Sequence, residues 1–171
     1  MRFASSRNVY IRRLLMALLV FVTALFQHSG FIPSLFGAPA MLLVPLTVCI
    51  AMFERSISGM CFGVLAGLLW DFALSGGDGF FSVVLTAVGF ISGALVTLIF
   101  RNNIRAAFIL SFGALSCCNV LHWLMFIVRK GYEGGFDLLF SRYIPSVLYS
   151  LLFVFVYYYA VSLIFKVTSE K

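Results

Sequence analysis

Apolar residues fill the chain in long blocks, and the polar residues between them come mostly in ones and twos. Six blocks stand out, over residues 9–28, 38–54, 56–75, 80–100, 106–128 and 142–166. Each is near the length of about 20 residues that carries an α-helix across a bilayer core. The blocks predict an all-α protein with a single domain over residues 1–171, built as one bundle of six transmembrane helices. The second block is short and carries Pro39 and Pro45, which predicts a tilted or partly broken helix. Ala38 and Ala40 form a small-x-small pattern, but it lies too far past Phe26 for a cleavage site, so the first block is expected to stay in the protein. The longest connection, "RKGYEGGFDLLFS" at residues 129–141, cannot house a soluble domain. No internal repeat is visible, so the inverted-repeat signature of many transporters is missing.

Basic residues set the orientation. With six spans and the N-terminus inside, the inner side holds Arg2, Arg7, Arg12, Arg13, Arg55, Arg101, Arg105, Lys166 and Lys171, and the outer side only Arg129, Lys130 and Arg142. The positive-inside bias therefore predicts that both termini are cytoplasmic.

Composition agrees with a bilayer as the solvent. Hydrophobic residues make up 63% of the chain and charged ones 11%, with a mean hydropathy of +1.09; a soluble domain has far more charge. The net charge of +6 comes without a basic stripe interleaved with aromatics, so no nucleic-acid partner is expected. Cys49, Cys61, Cys117 and Cys118 all fall within apolar blocks and none forms a CxxC pair. They read as buried thiols rather than disulfide partners or metal ligands, and no metal or other cofactor is expected.

Within the blocks, small residues recur at helical spacing. Gly59, Gly63 and Gly67 are four apart in the third block, and Gly89 and Gly93 repeat the device in the fourth. Such rows let two backbones approach in lipid, where association relies on close packing. They predict a groove for another helix, either one of the bundle's own or one from a partner chain. The third block adds Asp71 at the next step of the row. An ionisable group within a span costs about 2.5–3.5 kcal/mol at the bilayer centre and usually faces the bundle interior. Here it also ends a helix, where the macrodipole disfavours a carboxylate. Asn119 and His122 in the fifth block reach a comparable depth, and Arg142 opens the sixth. Asp71, Asn119, His122 and Arg142 are thus expected to form a buried polar cluster, with His122 or Asn119 as the partner of Asp71 and Arg142 as the charged alternative.

The "SGGDG" stretch at residues 75–79 reads as a tight turn. It lacks the ending of a phosphate loop and the spacing of a dinucleotide fold. Asp71 and Asp78 lie on one helix end and its turn rather than on facing helices, and no nucleophilic constellation stands out. No enzymatic activity is expected.

The stretch "GVLAGLLWDFALSGGDGFF" resembles the signature of the rod shape-determining protein MreD family. The resemblance rests on Gly63, Gly67 and Asp71, then Ser75 and Gly76, a further glycine, and a long apolar helix ending in the basic loop "RNNIR". Length, the basic N-terminus and Pro39 at the start of the second span fit as well. The resemblance implies a non-catalytic scaffold in the bacterial cytoplasmic membrane, within the cell-elongation complex that supports peptidoglycan synthesis and rod shape. Its implied partners are the single transmembrane helix of MreC and the assembly of MreB, RodA and a class B penicillin-binding protein. It also implies a bundle similar to the S-component fold of energy-coupling-factor transporters.

That likeness supplies an alternative, a vitamin-binding transporter subunit using the polar cluster as a pocket. S-components of that class commonly carry an AxxxA pattern on their first helix, whereas here Ala17 is followed four residues on by Phe21. The scaffold is therefore the expected reading.

Overall fold

The computed structural model describes residues 6–29, 40–74, 79–99, 102–125 and 144–169. Among them the chain is all-helical, with the elements α1 (Ser6–His28), α2 (Leu43–Ala73), α3 (Phe80–Leu98), α4 (Ile104–Trp123) and α5 (Ile144–Ser169). All five are long and apolar enough to cross a membrane.

The element α2 is not straight. Arg55 takes φ 72° and ψ 175°, a break in the helical path. In a straight helix Ala51 and Gly59 would stand about 12 Å apart. Instead, a Cβ built on Gly59 would lie only 2.6 Å from the Cβ of Ala51. The chain therefore folds back at Arg55 into a short arm, residues 43–54, and a long arm, residues 56–73. The boundary expected between the second and third blocks falls on this reversal. The short arm, about 18 Å long, is well under the roughly 30 Å of a bilayer core. Five elements of spanning length thus stand where the block pattern predicts six spans.

The short arm is the centre of the molecule. Leu43, Val44, Leu46, Val48, Cys49, Ile50 and Ala51 are all fully or almost fully buried. A helix that is apolar all round must be enclosed on every side. Here α1, α4, α5 and the long arm with α3 surround it. Pro45 sits in its first turn, where a missing N–H removes no intrahelical bond. Gln27 at the end of α1 caps that turn: its Oε1 accepts from the N–H groups of Leu42 at 2.7 Å and Leu43 at 3.1 Å. Met41 N–H donates to the Ser150 hydroxyl of α5 at 2.9 Å. Outward faces are apolar too, with Leu14, Leu18, Val83, Leu148, Leu152 and Leu163 exposed, as a lipid environment requires.

The alternation of helices gives the bundle two ends. Arg12, Arg13, Arg55, Arg105 and Lys166 gather at one, where Asn102 donates to the Met52 carbonyl at 3.4 Å and Tyr158 donates to the Asn102 carbonyl at 3.4 Å. Gln27, Asp71, Asn119 and His122 belong to the other, hereafter the polar end. Every Lys and Arg whose side chain is described lies at the basic end.

Candidate functional site

The glycine rows of α2 and α3 face one another. A Cβ on Gly59 would come within 2.8 Å of the Gly89 carbonyl oxygen, one on Gly63 within 2.8 Å of the Leu85 carbonyl carbon, and one on Gly67 within 2.6 Å of the Phe81 carbonyl oxygen. The approach is reciprocal: a Cβ on Gly89 would lie 2.8 Å from the carbonyl carbon of Gly59, and one on Gly93 2.7 Å from the Ser56 Cα. These obstacles are backbone atoms, which cannot swing aside. Of the two occupants considered for the groove, the one present is the bundle's own α3. This face is closed to a second chain.

Asp71 is buried at the top of the same seam, and its partners differ from those expected. Its Oδ1 accepts from the Phe81 N–H at 3.2 Å, and its Oδ2 from the Ser82 N–H at 2.8 Å and the Ser82 hydroxyl at 2.5 Å. Phe81 and Ser82 are the second and third residues of α3, whose amides have no partner within their own helix. A capping side chain normally comes from the residue just before the helix. That residue is Gly79, held at φ 69° in a left-handed turn that suits a residue without Cβ, and it has no side chain to offer. Asp71 performs the capping from the preceding helix. The positive end of the α3 dipole also offsets the unfavourable end of its own helix.

The expected polar cluster is therefore divided. His122 on α4 meets the rings of α3: it lies 5.9 Å from Phe81, nearly parallel, and 6.0 Å from Phe80, edge-on. Trp70 stacks on Phe81 at 4.1 Å with an interplanar angle of 3°. The residue whose amide Asp71 holds thus has its ring between Trp70 and His122, tying α2, α3 and α4 together at one level. Asn119 is 3% exposed, and neither its Oδ1 nor its Nδ2 has a hydrogen-bond partner among the described residues. Neither Asn119 nor His122 is among the hydrogen-bond partners of Asp71. Arg142 lies outside the described residues.

The basic end holds a buried ion pair that the block pattern does not announce. Glu54, at the last step of the short arm, pairs with Arg12 Nε of α1, and Arg13 Nε lies 3.8 Å from its other oxygen. The Glu54 side chain is 2% exposed and that of Arg12 16%. The Arg12 guanidinium also sits 4.5 Å over the Phe165 ring of α5. Removing one partner from such a pair costs about 3–5 kcal/mol, because the other charge stays buried. The pair therefore fixes α1 and α5 against the reversal at Arg55. Its only sequence signal is a lone acidic residue at the end of the bundle where arginines gather.

Chemically, these elements build rigidity: capped helix ends, a backbone-to-backbone seam and an anchored reversal. No described group of three or more His, Cys, Asp or Glu residues is placed to hold a metal ion. The four cysteines are free; Cys49 and Cys118 are buried as expected, while Cys61 and Cys117 lie on the outer surface. No family model, curated protein or solved structure matches the chain.

Proposed function

We propose that this protein is an MreD-type membrane scaffold of a bacterial cell-elongation complex. In this reading it binds the transmembrane helix of MreC, supports peptidoglycan synthesis by the assembly of MreB, RodA and a class B penicillin-binding protein, and catalyses no reaction. It sits in the cytoplasmic membrane with both termini in the cytoplasm; the short arm of α2, though shorter than the bilayer core, runs from the polar end to the basic end and counts with the long arm as the second and third of six passes. The clustering of the described arginines and Lys166 at one end supports that orientation.

The observation that carries the reading is the Gly63, Gly67, Asp71 row followed in the sequence by Ser75 and Gly76. The geometry gives that signature a physical purpose: the glycines admit the backbone of α3, and Asp71 then caps it. A signature that welds two helices into one unit suits a protein whose task is to present a fixed surface within the bilayer. The test is co-purification of full-length MreC with the full-length protein from detergent-solubilised membranes. Retention of MreC is expected; its absence under conditions that keep the bundle folded would defeat the scaffold reading.

A further inference from the structure

With the glycine seam filled from within, a partner helix needs another face. Between α4 and α5, at the polar end, lies a cavity of about 310 Å³ lined by Phe112, Ser116, Asn119, Val120, Ile144 and Leu148 among others. It opens on the outer side of the bundle, where Phe112, Val120, Ile144 and Leu148 are each about half exposed. Among the described residues its walls are apolar except for Ser116 and Asn119.

Asn119 is out of balance with this setting. A carboxamide presents two acceptor sites on oxygen and two donors on nitrogen. Both atoms are buried without a partner among the described residues. In hydrocarbon, where no water can substitute, each unmet group carries a substantial penalty. A group at the cavity that offers a donor and an acceptor together would complete this side chain.

The surface beside the cavity suits one kind of visitor. At 100° per residue, Ser116 sits at the middle of a face of α4, with Gly113 and Asn119 about 60° to either side. Gly113 has nothing within 4 Å of the place where a Cβ would stand, unlike the glycines packed between α2 and α3. A second helix could bring its backbone against Gly113 and Ser116 while a side chain reaches Asn119. A second copy of this chain, docked about a twofold axis, fits less well. Asn119 is recessed, and the exposed rim that each copy would offer the other is apolar.

Building on the scaffold reading, we propose that the α4/α5 face is the docking site for a partner's single transmembrane helix. That helix carries an Asn, Gln, Ser or Thr in the half of its span nearest the polar end, and the side chain enters the cavity to pair with Asn119.

The test places a photo-activatable benzophenone side chain at Val120, at Leu148 or, as control, at Val83 on the outward face of α3, in full-length protein co-expressed with full-length MreC. Cross-links to MreC are expected from Val120 and Leu148 and not from Val83. Gly113→Leu fills open space and so leaves folding intact, yet should lower the cross-link yield at least tenfold. Asn119→Leu should lower it too, as should replacing the partner's intramembrane Asn, Gln, Ser or Thr with Leu. Unchanged yields in these variants would overturn the proposal, as would adducts only to lipid or to a second copy. Co-purification of MreC with cross-links only from Val83 would overturn the docking site and leave the scaffold reading standing. Failure of the wild-type chain to retain MreC would defeat both.

Discussion

Asp71 accepts hydrogen bonds from both the backbone N–H and the hydroxyl of Ser82, at 2.8 and 2.5 Å, so the last turn of α2 caps the first turn of α3. Replacing Asp71 by Leu leaves two amides and a hydroxyl without their acceptor, the Phe81 amide buried and the Ser82 groups partly so; a fully buried unmet group costs roughly 1–3 kcal/mol. Asp71→Leu should therefore cost about 3 kcal/mol and Asp71→Asn about 1 kcal/mol, since an amide oxygen still accepts without the charge. Thermal unfolding in detergent micelles checks the order; equal stability of the two variants would contradict the capping role.

At its glycine positions the seam between α2 and α3 leaves no room for a side chain. At Gly63 even a methyl group would lie 2.8 Å from the Leu85 carbonyl carbon. Gly63→Ala, a change that improves helix propensity in isolation, should instead destabilise the protein by about 1–3 kcal/mol through overpacking. The same unfolding measurement decides: a gain in stability would show that the helices stand farther apart.

Arg55 holds a backbone conformation that belongs almost exclusively to glycine, at a cost of about 1–3 kcal/mol. Arg55→Gly should relieve that strain and, after the greater freedom of glycine in the unfolded chain is subtracted, stabilise the protein by about 1 kcal/mol. Arg55→Pro, confined to negative φ, should prevent the reversal and lower the amount of folded protein recovered from membranes.

Much of this was legible from the residues. Glycine spacing marked the close approach, the interior position of Asp71 followed from the cost of a lone carboxylate, and the break between the second and third blocks fell where the chain reverses. The partner of Asp71 is not legible from its own helix end alone; it depends on the unmet amides at the start of the next helix. Yet only the five residues 74–78 separate the end of α2 from Gly79, so two helix termini of opposite dipole sign had to be neighbours. Glu54 is illegible in the sequence for a different reason. Its arginines are distant in sequence, and only the fold-back at Arg55 places the end of the short arm beside α1.

Orientation has its own test in a cysteine-free background. Ser29→Cys, at the polar end, should react with a membrane-impermeant thiol reagent on intact cells, and Asn103→Cys, at the basic end, only after permeabilisation. The reverse pattern would invert the proposed topology.

The proposed function turns most directly on cell shape. Depletion of this protein in its own host, followed by microscopy over several generations, should convert rods to enlarged spheres, with rods restored by the wild-type chain supplied in trans. Cells that keep their rod form and normal width after complete depletion would contradict the account.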